Sequence, residues 1–130
     1  MGVFMQQLPF KAVVSDLDGT LLNTNHVIGE FTINVLNKLE QKGVDIILAT
    51  GRNHMDVSSI LGKIGAEHAV MITSNGARVR DLKGNLIYSN SLPEEIVLEL
   101  YKIPFDHTKI CINTYQDDGW FINTDVPELA

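Results

Sequence analysis

The sequence has 130 residues, enough for one small domain, with 45% apolar and 20% charged residues, as in a soluble globular protein. Ten basic against sixteen acidic residues leave a net charge of −6 and a pI near 5.0, which argues against a nucleic-acid partner or an anionic membrane surface. Cys111 is the single cysteine, so no intrachain disulfide forms and a reducing cytoplasm fits, and no apolar run reaches the roughly 18 residues of a membrane span.

In chain order, residues 1–10 read as a loose leader without the basic and long apolar regions of a secretory signal. Residues 11–15 then form a short valine-rich strand that stops at Asp16-Leu17-Asp18-Gly19-Thr20. Residues i and i+2 of a strand share a face, so Asp16 and Asp18 lie over one spot where the sheet opens. Two acids this close repel unless a cation or a shared proton relieves them. A plain Asp-Gly turn is the simpler reading of Asp18-Gly19. Residues 17–28 are expected to be a long irregular exit, with His26 unassigned.

Ile28, Phe31, Val35, Leu36 and Leu39 recur at helical spacing, which predicts a helix over 30–42 ended by Gly43. Residues 44–49 are almost continuously apolar, the pattern of a parallel strand covered on both faces. That strand ends in Thr50-Gly51-Arg52-Asn53. Either Asn53 merely caps the next helix, or the hydroxyl and free amides here cradle a phosphate. Arg52 has two equal options, a substrate or an acidic neighbour. A second helix is expected over 54–64, ended by Gly65, and a third buried strand over 70–73. Ser74-Asn75-Gly76 follows, as a hairpin turn or with Asn75 facing a substrate.

Further along, residues 77–88 read as a hairpin, and Pro93-Glu94-Glu95 opens a helix running to about residue 102. A second hairpin spans 110–124, turning at Asp117-Asp118-Gly119, with Trp120 as a packing residue.

Asp16-Leu17-Asp18-Gly19-Thr20 resembles the signature of the haloacid dehalogenase-like phosphohydrolases. Thr50-Gly51 resembles that family's second motif, and Thr73-Ser74-Asn75-Gly76-Ala77 resembles its Cof-type (IIB) subfamily. The nearest group is the YigL-type sugar phosphate and pyridoxal phosphate phosphatases, through the segments at 49–52, 71–79 and 117–121. The resemblance implies an α/β fold: a Rossmann-like parallel sheet whose first half is 11–80, with a hairpin and the first part of an inserted α+β cap over 81–130. The first strand is expected beside both the second and the third.

The resemblance also implies a chemistry, hydrolysis of small phosphomonoesters. Asp16 would be the nucleophile, forming an aspartyl-phosphate, and Asp18 the general acid and then base. Mg²⁺ would sit on the Asp16 carboxylate and the Asp18 backbone carbonyl. Leu17, Thr50, Gly51, Arg52 and Asn75 would bind phosphate or substrate. The partner would be a small phosphorylated metabolite, with no nucleic acid and no membrane, and the open sheet edge would favour self-association. The family's later motifs, a lysine and an acidic metal-binding pair, have no counterpart in 1–130, so the chain is expected to be a truncated amino-terminal portion, inactive alone. Two alternatives compete: a non-enzymatic remnant that needs a second chain, and a receiver domain phosphorylated at Asp16. The hairpins within 77–124 count against the receiver.

Overall fold

The computed structural model describes residues 8–106, 109–116 and 119–123. The leader expected over 1–10 therefore lies largely outside the described residues, as does the Asp117-Asp118 turn. Two compact units divide at Asn90 and Ser91. None of the helices described is long and apolar enough to cross a membrane.

In the first unit, β1 (Ala12–Asp16), β2 (Asp45–Ala49) and β3 (Val70–Thr73) are joined by α1 (Glu30–Gln41) and α2 (His54–Leu61). An antiparallel pair, β4 (Arg78–Asp81) and β5 (Leu86–Ser89), extends the same sheet. The strand order is β1-β2-β3-β4-β5, and the first three strands are parallel. This is the expected α/β class, a mixed sheet with flanking helices. The neighbour relations differ from the expectation in one respect: among the described residues β1 pairs with β2 only, and β2 separates it from β3. Parallel strands joined by a helical crossover share a sheet without the sequence saying which of them pair.

The core gathers Ile46 and Leu48 of β2, Met71 of β3, Leu36 of α1 and Val57 of α2, all at most 4% exposed. Leu17, just beyond β1, joins them and is fully buried. Cover is uneven across the sheet, contrary to the expectation of strands closed on both faces. Ile46 and Leu48 alternate with the half-buried Ile47, and Val14 of β1 is 63% exposed.

Both crossover helices depart in detail from the periodicity reading. On α1 the inward stripe runs through Ile33, Leu36 and Leu39, while Phe31 is 82% exposed. The spacing from Phe31 to Val35 is helical, but packing chose the neighbouring stripe. α1 ends as expected, with Gly43 at a φ of 74° and its N–H on the Glu40 carbonyl. α2 stops at Leu61 rather than 64, because Gly62 takes the C-cap and donates its N–H to the Ser58 carbonyl at 2.9 Å. Ile64 is still buried, now from a non-helical segment.

The second unit holds α3 (Glu94–Tyr101) and a hairpin of β6 (Asn113–Tyr115) and β7 (Trp120–Ile122). Pro93 stands at the N-cap, one position earlier than expected, with an extended ψ of 145°. The Tyr101 hydroxyl and Thr114 Oγ1 share a hydrogen bond of 2.7 Å. Trp120 stacks on Tyr115 with ring centroids 5.9 Å apart, and its indole N–H donates to Asn113 Oδ1.

Candidate active site

Parallel pairing brings the carboxyl ends of three strands to one edge of the sheet. Asp16 is in register with Ala49, and Ala49 with Ile72. Side chains following those positions meet where open α/β sheets hold ligands. A pocket opens there, lined by Asp16, Thr50, Gly51, Asn75 and Gly76, with Ala49 and Ile72 at the strand ends. Four expected site residues, from three separate segments, therefore share one wall.

The exit from β1 is more ordered than the irregular loop expected. The Leu22 N–H closes a wide turn on the Leu17 carbonyl at 2.9 Å, and Leu22 bridges to Ile28. Gly19, at a φ of 71°, supplies the left-handed step that turns the chain after Asp18. Because the Leu17 side chain is spent in the core, only its backbone remains for a ligand.

At the end of β2, Thr50 is 8% exposed, and its N–H donates to the Ile72 carbonyl. Its Oγ1 accepts the Arg52 N–H at 3.2 Å. Asn53 does cap α2, its Oδ1 accepting the Met55 N–H at 3.0 Å. The cap uses Asn53 and the pocket uses Thr50 and Gly51, so the cap leaves those two free to line the pocket.

After β3 the chain takes three left-handed residues in succession: Ser74 at a φ of 52°, Asn75 at 54° and Gly76 at 91°. Such a run is costly for residues other than glycine and is held by its surroundings. The Ser74 N–H donates to the Arg52 carbonyl, and the Ala77 N–H to the Ser74 carbonyl. The segment turns β3 back into β4, as the hairpin reading has it, and Asn75 and Gly76 also line the pocket.

Asp18 and Arg52 do not line this pocket. The Arg52 guanidinium forks onto the Asp18 carboxylate, with Nε donating to Oδ2 at 2.8 Å and a terminal nitrogen to Oδ1 at 2.5 Å. Of the two options for Arg52, the geometry takes the acidic neighbour. His26 Nδ1 lies 4.0 Å from the same Oδ1. That approach depends on a turn placing residues 18 and 26 together, and no sequence signal reports it. Ala49, Ile72 and Gly76 were also missed as lining residues, being apolar or featureless in sequence.

A hard divalent cation suits oxygen donors, and Mg²⁺ is commonly held by one or two protein carboxylates with water and phosphate oxygens completing its shell. Among the described residues no three His, Cys, Asp or Glu side chains cluster as a metal set. The Asp16 carboxylate and the Asp18 backbone carbonyl are oxygen donors of the fitting kind. The Asp18 carboxylate is already occupied by the fork.

A model of the haloacid dehalogenase-like hydrolase family matches residues 13–129. A candidate phosphatase of Haemophilus influenzae is 75% identical over 94% of this chain and 45% of that protein. An HMP-PP phosphatase of Yersinia pestis is 39% identical over 92% of this chain and 43% of that protein. Among solved structures, a haloacid dehalogenase-like hydrolase from B. subtilis matches with a TM-score of 0.80 at 26% identity, over 92% of this chain and 41% of that one. The chain thus spans a little under half the length of the curated relatives it matches.

Proposed function

The chain belongs to the haloacid dehalogenase-like hydrolase family, and from that premise we propose that the protein carrying it is a phosphatase of small phosphorylated metabolites. The observation that carries this reading is the single pocket wall shared by Asp16, Thr50, Gly51 and Asn75. A carboxylate at the end of a parallel strand, beside a hydroxyl and a side-chain-free backbone, suits a phosphoryl group better than an uncharged ligand.

In the proposed reaction an Asp16 carboxylate oxygen bonds to phosphorus while the ester oxygen departs. Asp18 gives that oxygen a proton. Water then attacks the aspartyl-phosphate and gives its proton to Asp18, and inorganic phosphate leaves with Asp16 restored. Splitting one displacement in two lowers each barrier. Thr50 Oγ1, the Gly51 and Leu17 amides and Asn75 orient the phosphoryl oxygens or the substrate around them. Mg²⁺ bound to the Asp16 carboxylate and the Asp18 backbone carbonyl would supply charge neutralisation at the phosphoryl oxygens.

For substrates, the sequence resemblance suggests sugar phosphates or pyridoxal phosphate, and the Yersinia pestis relative adds HMP-PP. We take the compartment to be the cytoplasm, which suits a chain with Cys111 as its single thiol. The test is release of inorganic phosphate from these esters by the intact protein. Release that requires Mg²⁺ and is lost in Asp16→Asn supports the reading. An intact protein that releases none from any of them overturns it.

A further inference from the structure

We propose that Arg52 is a positioning residue for Asp18, aiming its carboxylate for proton transfer, and is not a ligand of the substrate phosphate. The inference rests on the phosphatase reading above. Three contacts made by this one residue carry it. The Arg52 side chain holds both oxygens of Asp18 on the turn after β1. Its N–H donates to Thr50 Oγ1 after β2. Its carbonyl accepts the Ser74 N–H from the turn after β3. All three strand exits are therefore joined through a single residue.

Two parallel N–H to oxygen bonds fix the plane and direction of a carboxylate, which a single bond or a point charge does not. His26 Nδ1, 4.0 Å from Asp18 Oδ1, is too far for a hydrogen bond and leaves that direction to Arg52. The side chains of Arg52 and Asp18 are 32% and 42% exposed, and an ion pair in such a setting adds little to stability. Orientation is the larger effect of the fork. Arg52 is also absent from the pocket wall, so its route to a bound phosphate ester runs through Asp18.

The experiment uses the intact protein with Arg52→Gln and Arg52→Lys, two esters and one product. An alkyl phosphate needs a proton on its leaving oxygen, and 4-nitrophenyl phosphate needs much less help. The value of kcat/KM reports the first transfer, to Asp16, in which Asp18 is the acid. Proton transfer is typically worth ~10²–10⁴-fold, and a displaced acid forfeits part of that. We expect both variants to lose about 10- to 100-fold on the alkyl ester and no more than about 3-fold on the aryl ester. Lysine, which keeps the charge without the fork, should not rescue. Inhibition by inorganic phosphate should stay within about 3-fold of wild type, since Arg52 does not hold it. Equal losses on both esters, or an inhibition constant raised about tenfold or more, overturn the inference and make Arg52 a phosphate ligand. A wild-type protein that hydrolyses neither these esters nor any of the metabolites named above overturns the phosphatase reading, and this inference with it.

Discussion

The Asn75 side-chain carbonyl stands 2.9 Å from where a β-carbon on Gly51 would be, so the two residues leave room for each other only because position 51 is glycine. Gly51→Ala forces the Asn75 amide aside by a few tenths of an ångström. The obstacle is the end of a flexible, exposed side chain, so thermal stability should change little. Positioning at the pocket should suffer, and we expect kcat/KM to fall about 3- to 10-fold, well below the ~10²-fold of a full ångström's misplacement. In an Asn75→Ala background the same change should cost nothing further, because the clashing atoms are gone. Additive losses in the double variant would show that Gly51 acts by another route.

Asp16→Asn removes the proposed nucleophile, and the amide cannot form the acyl phosphate. Loss of a nucleophile costs about 10⁴-fold or more in turnover by the intact protein. Asp18→Asn should cost ~10²–10⁴-fold, the worth of proton transfer. Thr50→Ala removes one hydrogen bond to a charged group and should cost about 10- to 100-fold. The order of these losses is the measurement, and an Asp16→Asn protein near wild-type rate on an aryl phosphate would end the covalent mechanism.

Asp81 organises the turn between β4 and β5. Its Oδ1 accepts the backbone N–H of Lys83 and of Asn85, and its Oδ2 accepts the Asn85 side-chain amide at 2.8 Å. That side-chain bond, chiefly, holds the Asp81 carboxyl below its ordinary range; desolvation is the next largest effect and opposes it, while the two backbone amides and the Lys83 charge add to it. The unfolded chain therefore binds the proton more readily than the folded one. The contribution is fully present above the ordinary carboxylate value of about 3.9 and is lost as pH falls through the lower folded value. A carbon-13 titration of the Asp81 carboxyl should show a midpoint below that of a model peptide. Asn85→Ala should move it back up, and a midpoint that ignores Asn85 would refute the assignment.

A polypeptide of residues 1–130 by itself should self-associate and show little turnover. Among the described residues β1 has a strand partner on one side only, and Val14 on it is 63% exposed. An unpaired, apolar edge is a template for another chain. Sedimentation at several concentrations reads the association, and a phosphate-release assay reads the activity. A concentration-independent monomer that turns over robustly would mean that residues within 1–130 supply every catalytic group.

Local chemistry was enough to read most of the elements and the family. The strand at 70–73, the hairpin around 81–85 and the Gly43 stop of α1 each depend on residues within a turn or two, and periodicity or turn chemistry reports those directly. Asp16, Thr50 and Asn75 were legible as candidates because each lies at or just beyond the carboxyl end of an apolar strand. Other features were decided only by packing between distant segments. Phe31 fits the helical stripe yet faces solvent, since the neighbouring stripe through Leu36 reached the core. β1 took β2 and not β3 as its neighbour, a choice among sheet orders that the strand pattern leaves open. The Arg52 fork onto Asp18 joins residues 34 positions apart, and a guanidinium carries no local preference between that carboxylate and a phosphate. Parallel pairing of β1 with β2, and the exit turn that follows β1, brought the two side chains together.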